Sequence, residues 1–348
     1  MRGVTAVAQG RSVTPVTAAL DLPNTDAALD AAVRSGLAQV EQRLLDAVRQ
    51  ADGLADQTSR HLMLAGGKRV RPMLTLLAGQ LGQPDRPQLL DAAVVVELTH
   101  LATLYHDDVM DSAPLRRGAP AAHEVWGNTV AILTGDLLFA RASMIVAGLG
   151  PEAVRIQAQT FERLCLGQLH ETVGPADDED PVEHYLQVLA DKTGSLISTA
   201  GRFGAMFAGC GPEVVDVLVT YGEKVGVAFQ LADDVIDLAS DGGQSGKTPG
   251  TDLRERVPTL PSLLVRRAAA DGDVAAARVV ALLDGDLTAD DDLAAAVAAL
   301  GSHPVTGQAR AQAQRWAREA VDALAPLPEV PARDALRSFA QAVVHRTR

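Results

Sequence analysis

Cysteine is scarce in this chain of 348 residues: Cys165 and Cys210 are the only 2, too few for a disulfide framework. A reducing cytoplasm is therefore the expected compartment. Cations are outnumbered, with 31 Lys and Arg against 44 Asp and Glu, giving a formal charge of −13. That balance excludes a general nucleic-acid binder, whose affinity comes mainly from cations meeting phosphate. No long apolar run is free of charge. The longest, 130–149, carries Asp136 and Arg141, so the chain is not expected to be integral to a membrane. Arg2 and Arg11 lie near the N-terminus with no continuous apolar stretch beside them, and no signal peptide is expected. Aromatic residues make up 3% of the chain. What the chain has in quantity is apolar material, 47% against 22% charged residues, enough for a large core and too much for a disordered protein.

Ala, Leu and Val dominate, and apolar residues recur at three- and four-residue spacing, the period of a buried helical face. Helices are predicted over 31–48, 88–105, 130–149, 152–172, 182–208, 213–238, 261–269 and 308–324. No series of short alternating strands is present, although 94–96 would suit one locally. Gly66-Gly67, Gly82-Gln83-Pro84, Gly174-Pro175, Gly211-Pro212 and the segment 326–331 punctuate the helices. The acidic runs 177–180 and 284–292 read as exposed connections. Residues 1–25 lack periodicity and are expected to form a disordered tail, with 26–348 as one helical domain. The fold class is all-α.

Chemistry is concentrated in two runs, Asp107-Asp108-Val109-Met110-Asp111 and Asp233-Asp234-Val235-Ile236-Asp237. On a helix, residues four apart share a face, so Asp107 and Asp111 point together, as do Asp233 and Asp237. Clustered carboxylates repel unless a cation neutralises them. An all-oxygen donor set suits Mg²⁺, which uses one or two carboxylates and completes its shell with water and phosphate. Chance would place such a pattern about 0.25 times in a chain with this much aspartate, and two solvated helix faces are the plain alternative. His100 and Gln230 lie further along the same stripes of otherwise apolar helices, which favours a wet internal cavity.

Cations supply the counterpart. Gly66-Gly67-Lys68-Arg69-Val70-Arg71-Pro72 sets three on a glycine turn, and Arg116-Arg117-Gly118, Lys192-Thr193-Gly194 and Gly246-Lys247-Thr248 add three further stations. Glycine turns offer N–H groups to phosphate, and arginine adds bidentate hydrogen bonds. A P-loop is excluded: it needs glycine five residues before Gly246, where Asp241 stands, and it should follow a strand. Two carboxylate clusters with four basic stations point to a metal-bridged diphosphate site.

In these segments the chain resembles the trans-isoprenyl diphosphate synthases, or polyprenyl synthetases, of medium- to long-chain type. The matching residues are Gly66 to Pro72, Glu97 to Asp111, Arg116-Arg117-Gly118, Trp126-Gly127, Gly135-Asp136, Lys192-Thr193 and Phe229 to Asp237. Gly246-Lys247, Gly250, Asp252 to Glu255 and Thr259-Leu260-Pro261 also fit, so the resemblance covers roughly 30–345. It implies an all-helical fold around a central cavity, usually as a homodimer. It implies that the enzyme joins isopentenyl diphosphate to an allylic diphosphate primer, with Mg²⁺ on Asp107, Asp111 and Asp233. Asp108, Asp234 and Lys192 would join those aspartates as catalytic groups. Arg116, Lys192, Thr193, Gln230 and Lys247 would contact the allylic diphosphate. Lys68, Arg71, His100 and Arg117 would hold isopentenyl diphosphate. The family often has Gly-Lys where this chain has Arg256-Val257, so Arg254 or Arg256 is the expected substitute for that lysine.

The resemblance also places chain-length control four and five residues before the first aspartate, where family members with short products carry bulky rings. Thr103 and Ala102 stand there, both small, so the expected product has thirty carbons or more and would be free to partition into a membrane. The competing readings are a shorter-chain (geranylgeranyl or farnesyl) synthase, a class I terpene cyclase, and a non-catalytic regulatory subunit. A cyclase needs no second diphosphate site, and a regulatory subunit is expected to have lost acidic motif residues, which are complete here.

Overall fold

The computed structural model describes residues 26–239 and 249–345. The tail 1–25 and the station Gly246-Lys247-Thr248 lie outside them. Helices α1 (Ala27–Val48), α2 (Gly53–Leu64), α3 (Val70–Gly79) and α4 (Pro87–Met110) lead into a short antiparallel hairpin, β1 (Leu115–Arg116) and β2 (Ala119–Pro120). Then come α5 (Ala122–Trp126), α6 (Asn128–Gly148), α7 (Pro151–Val173) and α8 (Pro181–Leu189). A π turn (Ala190–Gly194) joins α8 to α9 (Ser195–Phe207), and α10 (Pro212–Ala239) follows. The remainder is α11 (Thr251–Arg254), α12 (Leu260–Ala270), α13 (Val274–Leu283), α14 (Asp290–Ser302), α15 (Pro304–Ala323) and α16 (Pro331–His345).

The all-α expectation holds, and the departures from it have physical causes. The segment 182–208 is helical as expected but not uniform, because a π turn at Ala190–Gly194 lies within it. Val94, Val95 and Val96 are buried inside α4, where packing on every side overrides their preference for strands. Asp290, Asp291 and Asp292 form the first turn of α14 instead of a loop, favoured there by the positive end of the helix dipole.

Pattern decides position. α4 is apolar around its whole circumference and therefore central, packed on α6, α3, α9 and α1. α9 buries nearly every residue between α3 and α10. α10 continues the core to α15 and α16, while a second cluster around Leu253, Val265, Leu283 and Leu300 closes the end built by α11 to α14. The two aspartate runs thus sit at the C-terminal ends of two central helices, α4 and α10.

Candidate active site

A cavity of about 960 Å³ opens between α4, α7, the π turn, α9, α10 and the turn before α3. Asp107, Asp111, Lys68, Arg71, His100, Arg116, Arg117, Lys192, Thr193 and Gln230 line its polar part. Thr103, Leu104, Ile132, Phe161, Leu164 and Leu196 line its apolar part. Basic stations far apart in sequence therefore share one chamber with the first aspartate run.

Asp107 and Asp108 fall in the last turn of α4, and Asp111 is its C-cap. Carboxylates at that end of a helix are repelled by its dipole. Burial pushes Asp107 up to about 6, with Lys192 pulling it down and Asp111 pushing it up again. A cation bound here would offset both the burial and the repulsion from Asp111. Among the described residues no three carboxylate, imidazole or thiol groups converge on one point. The carboxylate oxygens of Asp107 and Asp111 at the cavity suit a hard cation that takes one or two carboxylates and fills its shell with phosphate and water.

The central aspartates of the two runs are engaged with neighbours outside the cavity. Asp108 is fully buried and ion-paired with Arg116. Asp234, also buried, accepts from the Tyr185 hydroxyl (2.7 Å) and the Leu260 N–H (3.0 Å), both on Oδ2. Burial pushes Asp234 up to about 7, against the pull of those two hydrogen bonds. Neither residue lines the cavity. They hold the ends of α4 and α10 to their neighbours. Asp233 is half-buried one turn beyond Gln230, on the same face of α10 as Asp237.

The first basic station divides its labour. Lys68 is exposed at the cavity, and Arg71 Nε is buried without a hydrogen-bond partner in the described structure. Burial also lowers Arg71 to about 10. An unpartnered buried donor facing a cavity is a place for an anion. Burial, reinforced by Arg71 and Arg117, holds His100 well below its ordinary pKa, so the imidazole is neutral. Arg117 donates to the carbonyls of Leu62 (3.2 Å) and Gly66, stitching the turn shut. A Cβ on Gly67, where φ is +150°, would lie 2.8 Å from that guanidinium.

Arg69 also borders the cavity, but its guanidinium is engaged by carboxylates of the fold. It adopts a left-handed backbone conformation (φ +48°) and is 3% exposed, forked onto Glu41 (2.9 Å) and paired with Glu97 (2.8 Å). Removing one partner of such a buried pair costs about 3–5 kcal/mol. Glu41 and Glu97 were missed by sequence reasoning: each stands 28 residues from Arg69, on α1 and α4, with no local signal.

Lys192 and Thr193 enter the chamber from the π turn, with Lys192 ion-paired to Glu171 on α7. Arg254 and Arg256 do not enter it. Arg254 pairs with Asp290, and Arg256, in the left-handed region (φ +59°) that suits the family's glycine, donates to the Gly285 carbonyl (3.0 Å). Thr103 lines the cavity, whereas Ala102 is fully buried against α6. A side chain on Gly135 would collide with His106 and lie 3.0 Å from the Ala102 carbonyl, which shows how closely α4 and α6 approach.

The geometry can be set beside known proteins. The family model for polyprenyl synthetase matches residues 53–300. The chain belongs to the polyprenyl synthetase family. Nonaprenyl diphosphate synthase of Mycobacterium tuberculosis is 48% identical over 334 residues, covering 96% of this chain and 99% of its own. The crystal structure of geranylgeranyl pyrophosphate synthase from Corynebacterium glutamicum, complexed with calcium and isoprenyl diphosphate, superposes with a TM-score of 0.82 at 42% identity. That match covers 92% of this chain and 98% of that one. Decaprenyl diphosphate synthase from Rhodobacter capsulatus gives a TM-score of 0.82 at 33% identity, covering 92% and 99%. This polyprenyl synthetase has the all-α isoprenoid synthase fold and is a prenyltransferase.

Proposed function

We propose that this chain condenses isopentenyl diphosphate with an allylic diphosphate, head to tail and in the trans geometry, to products of thirty carbons or more. The observation that carries the reading is that Asp107 and Asp111, cations from three stretches of sequence (Lys68 and Arg71, Arg116 and Arg117, Lys192) and apolar side chains all line one chamber. Cations from separate stretches suit two diphosphates. A class I cyclase, with one substrate, has no use for the Lys68, Arg71 and His100 set.

Lys192, Thr193 and Gln230, with Arg116 and Lys247, hold the allylic diphosphate. Lys68, Arg71, Arg117 and the neutral His100 hold isopentenyl diphosphate. Asp107, Asp111 and Asp233 are the residues that would hold Mg²⁺, which supplies positive charge to the departing diphosphate when bound. The allylic C–O bond breaks, the double bond of isopentenyl diphosphate attacks the allylic carbon, and a proton leaves to the released diphosphate. Leu104, Phe161, Leu164 and Leu196 keep water from the cation, which water would quench. The chamber lies near the upper end of ordinary ligand cavities, and the small Thr103 leaves room beside α4. Two of the relatives named above make nonaprenyl and decaprenyl products by name, which supports the long-chain reading.

The outer face of α6 supports a homodimer. Leu133 and Met144 are 60% and 66% exposed, and α6 has a mean hydropathy of 1.7. A face this apolar needs a cover, and a second copy provides one without calling on a membrane. The compartment that fits is the cytoplasm. Sedimentation of the full chain should give twice the monomer mass, and monomer alone would remove this part of the proposal. Product analysis with Mg²⁺, isopentenyl diphosphate and primers of increasing length tests the whole reading. Products of thirty carbons or more are expected. Accumulation of fifteen- or twenty-carbon diphosphates alone would overturn the long-chain assignment.

A further inference from the structure

The turn that carries Lys192 and Thr193 is the only π turn among the described residues. A π turn inserts one residue into a helix, and such insertions occur frequently at functional sites. It persists only where neighbours hold it.

Arg163 on α7 is the main tie. Its Nε donates to Asp191 Oδ1 (2.7 Å), its Nη1 to Glu223 Oε1 on α10 (2.7 Å), and its Nη2 to the Ala190 carbonyl (3.4 Å). Gln187 Nε2 donates to the other oxygen of Asp191 (2.8 Å), and Ser195 Oγ donates to the Asp191 carbonyl (2.6 Å). Both carboxylate oxygens of this 8%-exposed aspartate are thus engaged. The flanking helices press close through glycine. A Cβ on Gly167 of α7 would lie 2.8 Å from the Lys192 nitrogen, and one on Gly226 of α10 would lie 2.7 Å from Gly194 Cα. The Arg163 guanidinium therefore joins α7, the π turn and α10 at a point one residue from Lys192.

We infer that Arg163 is a positioning residue for the condensation, acting through Asp191 to aim Lys192 and Thr193 at the allylic diphosphate. The inference rests on the reading of Lys192 given above. Arg163 does not line the cavity, so its loss removes no direct contact with substrate. A guanidinium can serve Asp191, Glu223 and the Ala190 carbonyl at once, because its donors form a planar fork. A lysine ammonium reaches fewer of them and should restore the function only in part.

The test is a double-variant cycle on the full chain, with KM for each substrate, kcat and melting temperature measured for Arg163→Met, Arg163→Lys, Lys192→Ala and Arg163→Met/Lys192→Ala. Arg163→Met should raise the primer KM about tenfold, in line with the coupling expected between neighbours, and leave that of isopentenyl diphosphate within about twofold. Arg163→Lys should recover part of the loss. In the Lys192→Ala background the Arg163→Met effect should shrink to less than about twofold, since two residues acting as one unit do not add. Full additivity in the double variant, or an equal rise in both KM values, would overturn the inference while leaving the site reading intact. An unchanged primer KM in Lys192→Ala alone would overturn that reading and the inference with it. If Arg163→Met proves too unstable to purify, Asp191→Asn must show the same split, primer KM raised and isopentenyl diphosphate KM unchanged. Its failure to do so would be equally fatal.

Discussion

The helices α4 and α10 carry the same five-residue pattern in the same register, yet the two ends do different things. Five residues before each first aspartate stand Ala102 and Ala228, both fully buried. Four and three residues before it stand Thr103 and Leu104 on α4, and Phe229 and Gln230 on α10; all four line the cavity. The central aspartates, Asp108 and Asp234, are buried in both runs. Here the likeness ends. Asp108 meets a guanidinium, whereas Asp234 meets a hydroxyl and a backbone N–H, both neutral. The first run closes its helix at Asp111, while the second lies within α10. The shared pattern therefore puts the preceding turn of each helix at the cavity, but it does not carry the carboxylates there alike: Asp107 and Asp111 line it, and Asp233 and Asp237 do not. The role of each carboxylate is set by partners that the local sequence does not contain.

The largest effect is expected where the two runs act alike. Asp107→Ala and Asp233→Ala should each lower kcat by about a thousandfold or more, and EDTA should abolish turnover of the parent chain, as for loss of metal-stabilised leaving-group charge. Steady-state rates, with circular dichroism to show intact folding, decide it. Near-normal turnover in either variant would mean that the symmetry of the pattern does not extend to the chemistry.

The next effect sharpens the contrast between neighbouring positions on α4. A ring at residue 103 would enter the cavity, and a ring at residue 102 would enter the packed seam with α6. Thr103→Phe should shorten the product distribution and leave the first condensation near normal. Ala102→Phe should instead lower the melting temperature, with overpacking costing about 1–3 kcal/mol. Chromatography of the dephosphorylated products and thermal melts of both variants separate the cases. An unaltered product distribution in Thr103→Phe would remove α4 from chain-length control.

This contrast also shows how much the sequence reveals. α4, α6, α7 and α10 are legible because each is long and amphipathic or wholly apolar, and their period is local. The π turn is invisible, since one inserted residue leaves no mark on the composition of 182–208. The short helix α2 and the β1–β2 hairpin, neither of which was expected, are held by tertiary packing more than by propensity. Within the site, Lys68, Arg71, His100 and Lys192 were legible from residue type and spacing, and all line the cavity. Arg69 was legible only as a third cation on the turn. Its buried pairing with Glu41 and Glu97 depends on α1 and α4 meeting, which spacing does not encode.

The smallest effect isolates the two central aspartates. Both hydrogen bonds to Asp234 converge on Oδ2, so an asparagine that places its carbonyl oxygen there keeps both. Asp234→Asn also removes a carboxyl whose charged form burial already disfavours, pushing it up to about 7, so less than a full charge is lost from the folded state near neutral pH. Its stability should stay within about 0.5 kcal/mol of the parent. Asp108→Asn is different, because it leaves the Arg116 guanidinium beside a fully buried amide and without its counter-charge. Arg116 is partly exposed, so water softens the loss, and a cost of about 1–2 kcal/mol is expected. Urea melts of the two variants under one set of conditions measure the difference directly. Equal destabilisation would show that Asp234 depends on its charge as much as Asp108 does, and that the two ends are more alike than their partners suggest.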